Sequence, residues 1–229
     1  GPVVRLRRGS DSAESDFGAS DLTGGTAAAW ASSGDAFVAK LYDQGGSGND
    51  AVQSTAASQP KLITAGVVEL EGGLPAMVFD GVDDSLGCAT LSGAAVTDQF
   101  FVFATSDTGF YTPDNRISQG ASFAGYLALD GSGSTTDTGG EYTGGSLRVN
   151  AASQTPSTRD DVHTLFATGS QILRTDSGWD TSNWTGFVWG GYTSQEFGGR
   201  LQEWIIYPSD QSANRTGIET NINDHYGIY

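Results

Sequence analysis

The feature that most constrains this chain is a short apolar run that recurs from one end to the other. Each copy is bounded by Gly, Asp, Asn or Ser. The runs fall at 37–42, 67–70, 76–79, 100–104, 125–129, 146–149, 162–167, 171–174, 186–190 and 200–207. All are too short for a core helix and rich in β-branched or aromatic residues, which is the pattern of β-strands. The 33 glycines fall largely between them, where tight turns are needed. The expected fold class is therefore all-β, a two-sheet antiparallel jelly-roll sandwich. Loops are expected at 131–145 and 175–185, where Gly, Ser, Thr and Asp dominate.

Two segments read as helix. A short N-terminal one covers 26–30. In the other, Ile218, Ile222 and Tyr226 repeat at four-residue spacing before Gly227, a natural stop. Ser209 or Asp210 is the expected cap of this C-terminal helix, with Ile228 and Tyr229 packing back on it. Gly1 and Pro2 have the form of a scar left by tag cleavage, and residues 3–229 read as one domain. A domain of this size buries roughly 70 % of its unfolded surface, so it needs neither disulfide nor metal to be stable. Cys88 is the single cysteine, which rules out an intrachain disulfide and reads as a buried, inert thiol.

The charge balance narrows the partners. Against 27 acidic residues stand 11 basic ones, a net charge of −16. Such a surface repels nucleic acid and anionic lipid. No apolar run has membrane-spanning length, so membrane insertion is not expected. The acids are scattered singly, as on a solvated folded surface.

Three stretches carry a resemblance. Val4-Arg5-Leu6-Arg7-Arg8-Gly9-Ser10-Asp11, continuing to Gly18, together with Leu41-Tyr42-Asp43-Gln44-Gly45-Gly46-Ser47-Gly48-Asn49-Asp50-Ala51, resembles the opening of the α-L-arabinofuranosidase B catalytic domain. Phe79-Asp80-Gly81-Val82-Asp83-Asp84-Ser85-Leu86 is similar to the entry strand of laminin G-like jelly rolls. Glu203-Trp204-Ile205-Ile206-Tyr207-Pro208, with the helix that follows, resembles the close of such modules in bacteriophage tail and fibre proteins. The resemblance implies a concanavalin A-like sandwich at a virion surface or other extracellular site. Other virion proteins would be partners, and a homotrimer of the full-length protein is left open.

Chemistry is harder to find. Glycoside hydrolysis asks for two facing carboxylates. Glu69, Glu71, Asp130, Glu141, Glu196 and Glu203 are available, but none falls on the arabinofuranosidase motif, and that family's adjacent cysteine pair is missing. His163, in an apparent strand, and His225, on the last helix, have no cysteine partners for zinc. Sugar binding needs flat aromatic faces beside polar groups. The candidates are Trp179, Asp180, Asn183 and Trp184, with Tyr142 from the neighbouring loop, while Trp189 reads as core. Asp43, Asp83 and Asp84 flank glycine turns, so turn capping is their first reading and a Ca²⁺ site their second. No cofactor is required; calcium is the one left open. The expected function is a non-catalytic module binding cell-surface polysaccharide. The alternatives are an arabinofuranosidase-like glycosidase or an architectural decoration domain.

Overall fold

The computed structural model of the protein describes residues 1–105, 116–120, 126–128, 145–182, 184–190 and 197–229, with the backbone alone at 116–120, 126–128, 159, 160, 162 and 163. The chain opens with β1 (Val4–Arg8), β2 (Glu14–Phe17), α1 (Ala19–Thr23), α2 (Thr26–Ala31) and β3 (Ala36–Leu41). Short strands follow: β4 (Ala51–Val52), β5 (Lys61–Thr64), β6 (Val67–Val68), β7 (Leu70–Glu71), β8 (Leu74–Pro75), β9 (Met77–Asp80) and β10 (Leu86–Cys88). The second half holds β11 (Thr97–Ala104), β12 (Arg116–Gly120), β13 (Tyr126–Ala128), β14 (Ser146–Val149), β15 (Ala152–Gln154) and α3 (Arg159–Phe166). It ends with β16 (Ile172–Trp179), β17 (Phe187–Trp189), β18 (Gly198–Tyr207) and α4 (Arg215–Tyr226).

The strands form an all-β antiparallel sandwich. Among the described residues, sixteen of them belong to one hydrogen-bonded sheet, and β7 and β8 make a separate hairpin. The ladder divides at β3. Ala36 and Phe37 pair with β5, which leads through β9, β18, β11, β16 and β14 to β15. Lys40 and Leu41 pair instead with β4, which leads through β10 and β17 to β12 and β13. The two branches face each other across an aromatic core. Phe101 on β11 meets Trp189 on β17 at 5.1 Å between ring centroids, and Phe79, Phe103, Phe197 and Trp204 close the cluster.

Strand β11 shows why a continuous apolar run works here. Phe101 and Phe103 join the core between the branches, whereas Phe100 and Val102 face outward under Ile222 of α4. Buried on both sides, the strand has no use for alternation. Helix α4 is held by more than its apolar stripe: Arg148 on β14 forks onto the buried Glu219 carboxylate at 2.8 and 3.2 Å. Gly227 ends the helix at φ 65°, and Asn223 Oδ1 accepts from the backbone of Ile228 and Tyr229, folding the terminus back.

Three local expectations are corrected. The run at 162–167 is helical, in α3, because Thr158 and Asp161 form a reciprocal capping box: the Thr158 hydroxyl accepts from Asp161 N–H at 3.1 Å and the Asp161 carboxylate from Thr158 N–H at 3.0 Å. His163 therefore lies on a helix. Helix α4 has Asn214 at its N-cap, without a side-chain cap bond, while Asp210 caps the turn at Ser212 N–H and the Ser209 hydroxyl accepts from Gln211. The stretch from Thr175 is strand, not loop, as far as Trp179.

That last segment is buried despite being polar. Arg174 and Asp176 have no exposed side-chain surface, and the guanidinium forks onto the carboxylate at 2.7 and 3.0 Å while lying over Phe166. Burial pushes the Asp176 carboxyl up, and Arg174 opposes the shift. Removing one partner strands the other in the core, which costs about 3–5 kcal/mol. Asp176→Asn is therefore expected to lower unfolding free energy by that order in urea titration. Arg174→Met with Asp176→Leu together should leave it unchanged or raised.

Candidate functional site

A polar groove of about 440 Å³ opens at the rim where β9, β11 and β18 meet. Glu71, Asp80 and Arg200 line it, with Thr105, Phe79, Ala104 and four glycines. Each position follows from the register. Asp80 pairs with Gly198 and Phe79 with Gly199 between β9 and β18, and Arg200 pairs with Ala104 across to β11. The floor is backbone because nothing larger fits. A Cβ at Gly199 would stand 2.5 Å from the Ala104 carbonyl oxygen, and one at Gly81, where φ is +74°, would stand 3.3 Å from the Gly198 Cα.

The groove offers both kinds of hydrogen-bonding group. Arg200 Nη2 donates to Glu69 at 3.3 Å. Its Nε atom is buried and has no partner among the described residues. Glu71 and Asp80 supply carboxylate acceptors. Asp80 is partly occupied, since its Oδ1 accepts from Val82 N–H at 2.8 Å. Thr105 donates its hydroxyl to the Gly198 carbonyl.

Beside Asp80 lie Asp83 and Asp84. Ligand oxygens of the three carboxylates all lie within 4.8 Å of one another, and among the described residues this is the one such cluster with a geometry for a hard cation. Sequence reasoning named two of its members and missed Asp80, whose place at a strand end gave no sign that it would turn back. It also grouped Asp43 with them. The structure corrects that. Asp43 accepts from the backbone N–H groups of Gly45, Ser47 and Asn49 at 2.6, 2.9 and 3.0 Å, capping its own glycine turn, and it is not in the cluster. Asp84 is buried and accepts from Asp80 N–H at 2.9 Å; burial, with Asp80 and Asp83 close by, pushes its carboxyl up to about 6.

The aromatic segment is not the open platform expected. Trp184 is only 5 % exposed and packs on Phe187 with centroids 5.0 Å apart, so its ring is core. Trp179 is half-buried against the core, swung inward where the register slips between Thr97 and Gln99. The reasons differ: Trp179 ends strand β16 and packs on the core from the sheet, whereas Trp184 lies in the connection that folds over Phe187. Asp180 is exposed; the Ser182 hydroxyl, and then its N–H at 2.9 Å, donate to it and hold its carboxyl low. Asn183 and Tyr142 lie outside the described residues, as do Asp130, Glu141 and Glu196.

The remaining candidates are placed elsewhere. Glu203 faces α4, where burial raises its carboxyl and Tyr226 hydrogen-bonds it. His225 is exposed on the same helix. Trp189 has no exposed surface. Cys88 is buried with Sγ 3.3 Å from the Asn49 carbonyl.

No protein-family model matches the chain, and no curated protein does. Among solved structures it is similar to an arabinofuranosidase crystallised with arabinofuranosyl-α-1,2-xylobiose, with a TM-score of 0.51 and 15 % identity. The match covers 97 % of this chain and 58 % of that one, so this chain spans well under two thirds of the enzyme's length. At that identity the likeness shows the fold, a β-sandwich, and nothing about chemistry. The tail-fibre resemblance gains nothing from these comparisons.

Asp84 yields a signed pH effect. Its carboxyl takes up a proton more readily folded than unfolded, so its contribution favours folding at low pH and is lost as pH rises from about 4 through about 6. The two-unit gap corresponds to at most about 3 kcal/mol. Asp84→Asn, which keeps the acceptor for Asp80 N–H, should match the parent protein at pH 4 and exceed it at pH 7.5. Chemical denaturation at the two pH values reads the difference.

Proposed function

We propose that the protein is a non-catalytic carbohydrate-binding module whose rim groove takes a segment of a glycan. One observation carries this reading: the Arg200 guanidinium, held by Glu69, lines the same groove as the Glu71 and Asp80 carboxylates. A sugar hydroxyl accepts one hydrogen bond and donates another, so it matches a wall that mixes donors with acceptors. The backbone floor lets a flat ring lie close. The setting we assign, at a virion surface or other cell exterior, rests on the resemblance of the C-terminal strand and helix alone.

Hydrolysis is the second reading, favoured by the fold shared with an arabinofuranosidase. Against it, the carboxylates of the groove do not form a poised acid and base. Glu69, outside the groove lining, is engaged by Arg200, and Asp80 in the wall caps its own turn. The carboxyl that burial raises most clearly at this rim, Asp84, points its acceptor at Asp80 N–H.

Titration against a panel of neutral polysaccharides and their oligomers tests the reading. Binding without release of reducing sugar is expected. Arg200→Ala should weaken it by about 1.5–3 kcal/mol, the value of a hydrogen bond to a charged group. Trp184→Ala should act through stability instead, because that ring is core. Release of arabinose from arabinoxylan, abolished by Glu71→Gln, would replace binding by hydrolysis.

A further inference from the structure

The groove is charged unevenly. Its one cation, Arg200, is already paired with Glu69 at 3.3 Å, so those two charges cancel. Glu71 and Asp80 remain on its wall without an ion pair among the described residues. Asp83 is exposed immediately behind Asp80, within the cluster whose oxygens lie within 4.8 Å of one another. The chain around this rim carries a net charge of −16. A depression with low-dielectric walls focuses such a field, and two carboxylates on the wall repel any anion that enters.

A compensated arrangement occurs on the neighbouring strands of the same sheet, where Lys61 stands beside Val78, the residue that also pairs with Arg200. On the outer face of β2, β1, β3 and β5, register aligns Asp16 with Arg5 and Lys40, and Glu14 with Arg7 and Phe37, followed by Lys61. Both lysines of the chain stand there. Arg5, Lys40 and Lys61 pair with Asp16, Asp50 and Asp35 at 2.7, 3.1 and 2.8 Å. That face is close to neutral. At the groove, Glu71 and Asp80 make no ion pair among the described residues, and Lys61 acts only at a distance, on Asp84 behind Asp80.

We propose, resting on the glycan-binding reading, that Glu71 and Asp80 determine specificity by admitting neutral sugars and rejecting uronic acids. The hydroxyls of a neutral ring donate to the two carboxylates and accept from the Arg200 guanidinium. A ring carboxylate in the same seat gains the guanidinium that Glu69 already holds and meets two like charges at close range. Rejection of the wrong ligand, rather than extra contact with the right one, sets the preference.

The test uses the whole chain and two probes of equal length: a neutral xylo-oligosaccharide and an oligogalacturonate, titrated at 20 mM and 150 mM NaCl. The parent protein is expected to bind the neutral probe at least tenfold more tightly, with the gap narrowing at the higher salt as charges are screened. The double variant Glu71→Gln, Asp80→Asn keeps the shapes and the acceptor for Val82 N–H. It should gain at least tenfold for oligogalacturonate and so narrow or reverse the preference between the two probes. Equal binding of both probes by the parent protein overturns the inference and leaves the module reading standing. So does a double variant with no gain for the uronate. If the parent protein and the variant bind neither probe, nor any neutral glycan of the panel, the module reading fails and the inference falls with it.

Discussion

Trp189 lies with no exposed surface among Phe79, Phe101, Phe103, Phe197 and Trp204, at ring-centroid distances from 5.1 to 6.4 Å. It belongs to one branch of the divided sheet, and most of its neighbours belong to the other. Each such ring buries on the order of 150–250 Å², so this contact ties the two branches of the sandwich together. Everything at the rim follows from it. Phe79 and Phe197 are locked into the cluster, and they hold the residues next to them, Asp80 and Gly198, at the edge where the groove opens.

The polar strand β16 shows the converse constraint. Its residues Arg174, Thr175, Asp176 and Ser177 would be at home in a loop, yet the sheet needs a strand between β11 and β14. The backbone requirement wins, and the side chains adapt: a carboxylate and a guanidinium bury each other, one beneath the Phe166 ring. A buried pair of this kind adds little net stability. What it does is fix which face of β16 turns inward, since either partner left alone in the core would be far more costly.

How much of this was legible varies by residue. The runs at 100–104 and 200–207, the Ile218, Ile222 and Tyr226 stripe and the stop at Gly227 were readable because their signals are local. The run at 162–167 was misread because its apolar pattern fits two periods, and the deciding capping box lies upstream of it. The indoles misled for another reason. Exposure of Trp184 depends on what Phe187 and the neighbouring turn do in three dimensions, and no spacing encodes that. The rim groove was illegible altogether: Glu71, Asp80, Thr105 and Arg200 come from four separate strands or strand ends.

Sequence alone determined the material of this protein: strands punctuated by glycine, an acidic surface, a helix at the end. These are properties of neighbours along the chain, and short-range sterics and burial settle them. Tertiary structure decided which of many acids act together. Asp80, Asp83 and Asp84 converge while Asp43 closes its own turn, and Arg200 faces a groove in which Glu69 occupies only part of its fork. The physical reason is that register between β9, β18 and β11 sets those distances, and register is fixed by the packed aromatic core far from the charges themselves.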